Sequence, residues 1–392
     1  MHRQLPTNAP IRLLHILGEL KPSGAEMMYH AAAAMWQAAG LECAILSVGK
    51  TPGPLAPVLE KDGWRILHIP FSRSPLHVLR VLRLLSRRRY DIVHIDTERS
   101  NFWYALAAFL AGTPHLFRTV HSDFHFQSSL RLRRKWQRRV LRLLGLTTIS
   151  ISDTVARSEM ASFANPSLQI ADWFDNRRFV PPAPEQRSAA RESLGIPDDV
   201  LAMVSIGNCS AIKNHRAILK ALAMLPADSQ LLYLHAGIED SASSERLLAA
   251  ELGLVNRVRF FGWCADPLPL LHASDLYIMP SHHEGFGCAA FEALGAGLPA
   301  ILSDVPGLGE IRRVCGEIVW CGTTPESIAA AILACGQLSP ERRREMGMRA
   351  SEAVHRRFGL EAGARRYAEL YREAMERTPD AGVRLGAEET PC

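Results

Sequence analysis

Residues 280–307 read Pro280-Ser-His-His-Glu-Gly-Phe-Gly-Cys-Ala-Ala-Phe-Glu-Ala-Leu-Gly-Ala-Gly-Leu-Pro-Ala-Ile-Leu-Ser-Asp-Val-Pro-Gly307, and this run decides the fold. Just before it, Leu276 to Met279 is a short apolar run that suits a buried parallel strand. Ser281 to Gly287 is polar and glycine-punctuated, a loop at that strand's carboxyl end. Cys288 to Gly297 is rich in Ala and Leu and predicts a helix closed by Gly297 and Pro299. Pro299 to Ser303 is the next strand. In open parallel sheets, ligands bind beyond the carboxyl ends of the strands. The amides of Gly285, Phe286 and Gly287, together with the positive end of the following helix, form a seat for phosphate there. Glu284 lies in the loop and Glu292 two turns into the helix, with seven residues between them. Two carboxylates beside a phosphate seat suit paired hydroxyls of sugar and ribose.

Working outward, the same strand-loop-helix grammar recurs. Ile11 to Leu17, the loop through Ser23 and Gly24, a helix from about Met27 to Ala39 and Leu41 to Val48 open one doubly wound sheet. Strands are predicted at 63–70, 91–95, 115–120 and 147–151, with a helix over 75–89. Pro181, Pro182 and Pro184 mark a linker. Beyond it, Val200 to Ile206 is a strand, followed by Gly207-Asn-Cys-Ser-Ala-Ile-Lys-Asn-His215 and a helix from about Arg216. A glycine turn with a lysine before a helix can cradle a diphosphate, which makes Gly207 and Lys213 candidates.

The chain resembles the retaining GT-B glycosyltransferases, in particular family 4. The resemblance rests on Pro-Ser-x-x-Glu-Gly-Phe-Gly with a second Glu-Ala in residues 280–293, on Gly207 with Lys213-Asn214, and on Arg-Val-x-Phe-x-Gly at 257–262. It implies two doubly wound, Rossmann-like α/β domains facing a cleft. An N-terminal acceptor-side domain would span 1–180, and a nucleotide-sugar-binding domain 185–358. A C-terminal helix at about 360–377 would cross back onto the first domain, and 378–392 would be a disordered tail. It implies that Glu284 contacts the transferred sugar, Glu292 holds the ribose, and Lys213 stabilises the leaving diphosphate. His121, after a Thr-Val-His strand end, would be a catalytic cleft residue that supports the oxocarbenium-like centre of the sugar, its neutral imidazole able to donate or accept. Ser23 and Gly24 stand where the family has a Gly-Gly turn. Asn208 replaces the usual arginine of the donor site, and His215 or Arg216 could compensate. Trp263 and Cys264 are candidate base contacts. Asp96 and Glu98 are acceptor-side candidates and Asp123 a second polar group in the cleft beside His121, whereas His94 reads as a core histidine and Glu26 as a helix-surface acid.

The implied activity is retaining, metal-independent, hexosyltransferase-like transfer from a nucleotide-sugar to a glycan or lipid-linked acceptor, without a cofactor, in bacterial polysaccharide or lipid-linked glycan synthesis. A non-catalytic GT-B subunit and a nucleotide-sugar epimerase remain as alternatives. His121 and His125 are four apart but have no further ligands at metal spacing, so no metal site is expected.

Composition sets bounds. The chain has 392 residues, 47% apolar and 22% charged, enough for two cores, with a net charge of +5. The eight cysteines include no CxxC pair and read as free thiols in a reducing compartment. Met1 to Pro10 lacks a signal-peptide core, and no apolar run is long enough to span a bilayer. The expected location is cytoplasmic. The Arg131–Arg142 helix has Leu132, Trp136, Val140, Leu143 and Leu144 at helical spacing, a stripe expected to pack on the sheet, and an arginine face. That face either attracts acidic lipid heads on the inner face of the plasma membrane or is simply solvated. Nucleic acid is not an expected partner.

Overall fold

The computed structural model describes residues 10–22, 24–124, 126, 128–239 and 242–377. Ser23, His125 and the 378–392 segment lie outside the described residues. The first sheet has seven parallel strands: β1 (Ile11–Leu17), β2 (Leu41–Ser47), β3 (Arg65–His68), β4 (Ile92–Ile95), β5 (His115–Val120), β6 (Leu146–Ser150) and β7 (Leu168–Gln169). Between them run α1 (Gly24–Ala38), α2 (Ala56–Lys61), α3 (Pro75–Arg88), α4 (Asn101–Leu110), α5 (Ser128–Leu143) and α6 (Asp153–Phe163). Strand order is β3-β2-β1-β4-β5-β6-β7, so the winding reverses between β1 and β4.

The second sheet is built from β8 (Leu201–Ile206), β9 (Leu231–Ala236), β10 (Val258–Phe260), β11 (Leu276–Met279), β12 (Ala300–Ser303) and β13 (Val319–Cys321). Helices α7 (Pro184–Ser193), α8 (His215–Met224), α9 (Ser244–Glu251), α10 (Leu268–Ala273), α11 (Cys288–Gly295), α12 (Gly309–Val314), α13 (Pro325–Gly336) and α14 (Pro340–Phe358) accompany it, and α15 (Leu360–Glu376) follows. Its order, β10-β9-β8-β11-β12-β13, reverses between β8 and β11. The loops after β8 and β11 therefore sit side by side at the switch point, where a parallel sheet leaves a crevice for ligand.

Both sheets carry apolar residues on two faces, as parallel strands require. On the first, Trp36, Tyr367 and Tyr371 fill one side and Val81, Tyr104 and Leu141 the other. Helix α15 is pinned there by Trp36 Nε1 donating to the Ala364 carbonyl at 2.8 Å and by Tyr371 Oη 2.6 Å from His94 Nδ1. His94 also meets Thr119 Oγ1 at 2.7 Å and is fully buried, the core histidine the sequence indicates. On the second sheet, Phe286 stacks on Phe291 with centroids 4.2 Å apart, and Phe358 closes the cluster.

Helix α5 departs from expectation. Leu132, Trp136 and Leu143 are exposed by 70, 58 and 77%, so most of the apolar stripe faces solvent, while Val140 and Leu144 pack against the core as expected. Arg138 turns inward instead, forked onto Glu159 at 2.8 Å, and Glu98 gathers Arg118, Arg134 and Arg138. A buried carboxylate pair outcompetes leucine for the inner face, because Glu98 and Glu159 would otherwise be stranded without counter-charge. Glu98 is thus a structural partner of arginines and not an acceptor-site group. Glu26, expected on the surface of α1, is buried.

Candidate active site

The donor-side loops are locked to each other before any ligand arrives. Asn214 caps α8 with φ 60°, a left-handed conformation that Asn tolerates. Its amide donates to the carbonyls of Pro280 and Thr323 at 3.1 and 2.9 Å. The His282 amide donates to the Ile212 carbonyl at 2.8 Å. These ties bring Lys213 Nζ to 2.7 Å from Glu284 Oε1, with Glu284 only 7% exposed. Two residues that the sequence places separately, on the loops after β8 and β11, form one ion pair.

Gly285 is where the two halves meet. A Cβ there would lie 2.3 Å from the His121 carbonyl oxygen, and Ser152 Oγ donates to the Gly285 carbonyl at 3.0 Å. Below this contact, the Asp153 amide donates to Glu310 Oε1 at 3.1 Å and Thr154 Oγ1 to the Pro306 carbonyl at 2.7 Å. Glu310 therefore caps a helix of the other half. Gly24 opens α1 against Cys288, the first residue of α11, with the cysteine sulfur 2.9 Å from where a Cβ would stand. The positive ends of α1 and α11 thus converge on one point of the cleft.

His121 lies between two aspartates, Nε2 3.3 Å from Asp96 Oδ1 and Nδ1 3.6 Å from Asp172 Oδ2. Burial opposes its charge, but hydrogen bonds to Asp172 and Asp96 and their negative charges push the pKa up to about 10. The imidazole expected to be neutral is therefore an imidazolium at neutral pH. Asp96, an acceptor-side candidate from sequence, is fully enclosed: it also receives Tyr29 Oη at 2.7 Å and faces His15 Nδ1 at 2.9 Å. It can position His121 but cannot touch an acceptor. Asp172, the second partner of His121, carries no local signal in the sequence. Asp123 accepts from Ser158 Oγ on α6.

Glu292 faces a small interdomain pocket lined by Gly24, Met27, His30, Asp175 and Arg178. Burial pushes its pKa up to about 7, against the pull of Arg178 and with the help of Asp175. Phe286 offers only its backbone here, since its ring belongs to the core, while Gly287 caps α11. Asn208 Oδ1 accepts from the Ile238 amide at 2.9 Å, so its side chain braces the loop. Gly207 lies beside the Lys213 stem. Trp263 is half exposed on the loop after β10. His215 does not supply the missing cation: it is 4% exposed, turned toward His235, and burial drives its pKa down to about 2. Arg216 is engaged by the Ser244 carbonyl at 3.3 Å.

The Glycosyl transferases group 1 family matches residues 186–353, and Glycosyltransferase Family 4 matches residues 22–159. Between them the two family models match both halves of the chain, which is a family 4-like glycosyltransferase. A D-inositol 3-phosphate glycosyltransferase of Thermobispora bispora is 28% identical over 76% of this chain and 74% of its own. An Escherichia coli UDP-Gal:alpha-D-GlcNAc-diphosphoundecaprenol alpha-1,3-galactosyltransferase is 24% identical over 66 and 70%. HepE of Anabaena, solved in complex with UDP and glucose, superposes with a TM-score of 0.78 at 21% identity, covering 93% of this chain and 100% of its own. The fold is accordingly GT-B. No helix among the described residues is long and apolar enough to cross a membrane.

Proposed function

We propose that this glycosyltransferase takes a uridine diphosphate sugar and transfers the sugar, with retention, to a hydroxyl of a lipid-linked glycan at a membrane face. The Lys213–Glu284 ion pair at 2.7 Å carries the reading. It holds a cation where a diphosphate would leave and a carboxylate where sugar hydroxyls would lie. The helix ends at Gly24 and Cys288 add partial positive charge from both sides. Supporting the base and acceptor, HepE was solved with UDP and glucose, and the E. coli relative is named for UDP-Gal and a diphosphoundecaprenol acceptor.

In this mechanism the acceptor attacks from the face that the diphosphate leaves, and the departing phosphate takes the acceptor proton. His121, its two N–H groups turned to Asp96 and Asp172, contributes positive charge toward the departing diphosphate; as an imidazolium it would repel a developing oxocarbenium. Glu292 accepts from the ribose hydroxyls. No step runs through a metal, so turnover needs no added magnesium or manganese.

The test is a thermal-shift screen of UDP-, GDP- and ADP-sugars, followed by calorimetry at two pH values with the one that binds. Ribose binding requires the Glu292 carboxylate, so affinity falls as pH drops through about 7. Over this interval the diphosphate of a nucleotide-sugar does not titrate and His121 stays charged. Binding should be roughly tenfold weaker at pH 6 than at pH 8, and Glu292→Gln should flatten the dependence. A shift with GDP- or ADP-sugars alone would overturn the base, and a steep pH dependence persisting in Glu292→Gln would overturn the role of Glu292.

The membrane part of the reading rests on α5. Leu132, Trp136 and Leu143 form an exposed stripe, Trp136 packs 5.7 Å from Phe102, and the adjacent Trp103 is half exposed. Arg133 and Arg139 flank the stripe and are exposed. Apolar side chains framed by arginines suit an anionic leaflet. Trp136→Ser should weaken sedimentation with phosphatidylglycerol vesicles by about tenfold, the ~1.4 kcal/mol of a lost apolar anchor. Equal binding by wild type and variant would remove the membrane from the proposal.

A further inference from the structure

The geometry points to a metal-binding site formed by Cys209, His215 and His235, one that takes a zinc-like divalent ion and lies behind the loop that carries Lys213. The three come from different elements: the loop after β8, the first turn of α8, and β9. One ligand atom from each, a sulfur and two ring nitrogens, falls within 4.8 Å of the others. Cys209 Sγ stands 3.3 Å from His235 Nε2, and the His215 and His235 rings are 4.3 Å apart. Tetrahedral zinc, with bonds of about 2.3 Å to sulfur and about 2.0 Å to nitrogen, sets its ligand atoms roughly 3.5 Å apart. The sulfur–nitrogen pair already has this spacing, and a small rotation of His215 brings in the third.

Two further observations separate this cluster from ordinary packing. His215 is 4% exposed, yet its Nδ1 has no hydrogen-bond partner among the described residues, although buried polar nitrogens are almost always paired. His235 Nδ1 lies 3.2 Å from Ser205 Oγ, which in turn meets Tyr233 Oη at 2.5 Å. That chain lets Nδ1–H donate to the serine and aims the Nε2 lone pair at Cys209, the outer-shell arrangement usual for metal-bound histidine. One thiolate and two imidazoles form a donor set of borderline softness, suited to zinc. No fourth His, Cys, Asp or Glu joins the group among the described residues, which leaves the fourth position to water or another small ligand. As the metal–sulfur bond forms, the Cys209 thiol releases its proton to solvent. A bound ion would tether the loop between Gly207 and Asn214 to β9.

Cobalt is the probe. Purified protein is stripped with a chelator and titrated with cobalt(II) in the absence of other metals. The expected result is a thiolate-to-cobalt charge-transfer band with the strong visible bands of a tetrahedral ion, saturating at one ion per chain and displaced by zinc. Cys209→Ser should lose the charge-transfer band while its melting temperature without metal matches wild type. Ser205→Ala should keep the band but bind about tenfold more weakly. Absence of the band in wild type, or its persistence in Cys209→Ser, would overturn the site; persistence would assign the signal to another thiol such as Cys264. If Cys209→Ser does not fold, His215→Asn serves in its place, with loss of the tetrahedral bands as the expected result and their retention as the refutation.

Discussion

Lys213→Ala is expected to lower kcat/KM for the donor by about two to three orders of magnitude, or about 3–4 kcal/mol of transition-state stabilisation. The lysine sits on a loop held by three backbone-directed hydrogen bonds, two from Asn214 and one between His282 and Ile212, so its ammonium is placed without reorganisation. Charge builds on the diphosphate only as the glycosidic bond breaks, so most of the loss should fall in kcat. In the resting protein the same substitution leaves the Glu284 carboxylate, 7% exposed, without its partner at 2.7 Å. Stripping one member from such a pair typically costs about 1–3 kcal/mol, so the melting temperature should fall as well. Glu284→Gln separates the two effects, because in Lys213→Ala/Glu284→Gln stability returns toward wild type while turnover does not. Lys213→Arg should rescue stability but not rate, since a planar fork cannot reproduce a point charge in this slot. Steady-state kinetics and thermal melts on the four variants check the set; unchanged turnover in Lys213→Ala would remove the lysine from the mechanism.

What the sequence makes legible follows how local each signal is. Residues 276–303 declare strand, loop, helix and strand through glycines, prolines and a short apolar run, and the structure has β11, α11 and β12 there. The pairing of Lys213 with Glu284 is less visible, because it depends on β8 and β11 being neighbours in the sheet. The orientation of α5 is illegible for a physical reason. Periodicity assigns leucine and tryptophan to the inner face, but Glu98 and Glu159, both distant in sequence, draw Arg138 inward, and Leu132, Trp136 and Leu143 are left outside. The charge of His121 is equally non-local, since it comes from Asp96 and Asp172 on separate segments. Helix α4 was hidden for the opposite reason: Asn101–Leu110 is apolar on nearly every face and shows only as a hydrophobic run. Strands β7 and β13, of two and three residues, are too short to leave a period.

Gly285→Ala should reduce kcat about a hundredfold while leaving nucleotide affinity within about threefold, the loss that roughly an ångström of misplacement produces. A β-carbon at this position would stand 2.3 Å from the His121 carbonyl oxygen and 3.2 Å from both the His121 carbonyl carbon and Ser122 Cα. All three atoms are backbone, so no side-chain rotation relieves the clash; the two halves must move apart or the loop after β11 must shift. Either way the imidazolium of His121 and the Ser152–Gly285 hydrogen bond are displaced from Glu284, the residue next to the added methyl. The nucleotide seat draws its named groups, Lys213, Gly207, Glu292 and the α11 end, from the second half and need not follow. Stability should change by less than about 1 kcal/mol, because the strain is relieved at a contact between two cores and not inside either one. This split distinguishes the two things Gly285 could do. If the residue served only as an amide donor to phosphate, alanine would be nearly silent, since the amide is retained. If it permits closure, kcat collapses with affinity intact, and small-angle scattering with donor bound should show the variant less compact than wild type. A variant that closes and turns over normally would mean that the His121–Gly285 contact has no part in catalysis.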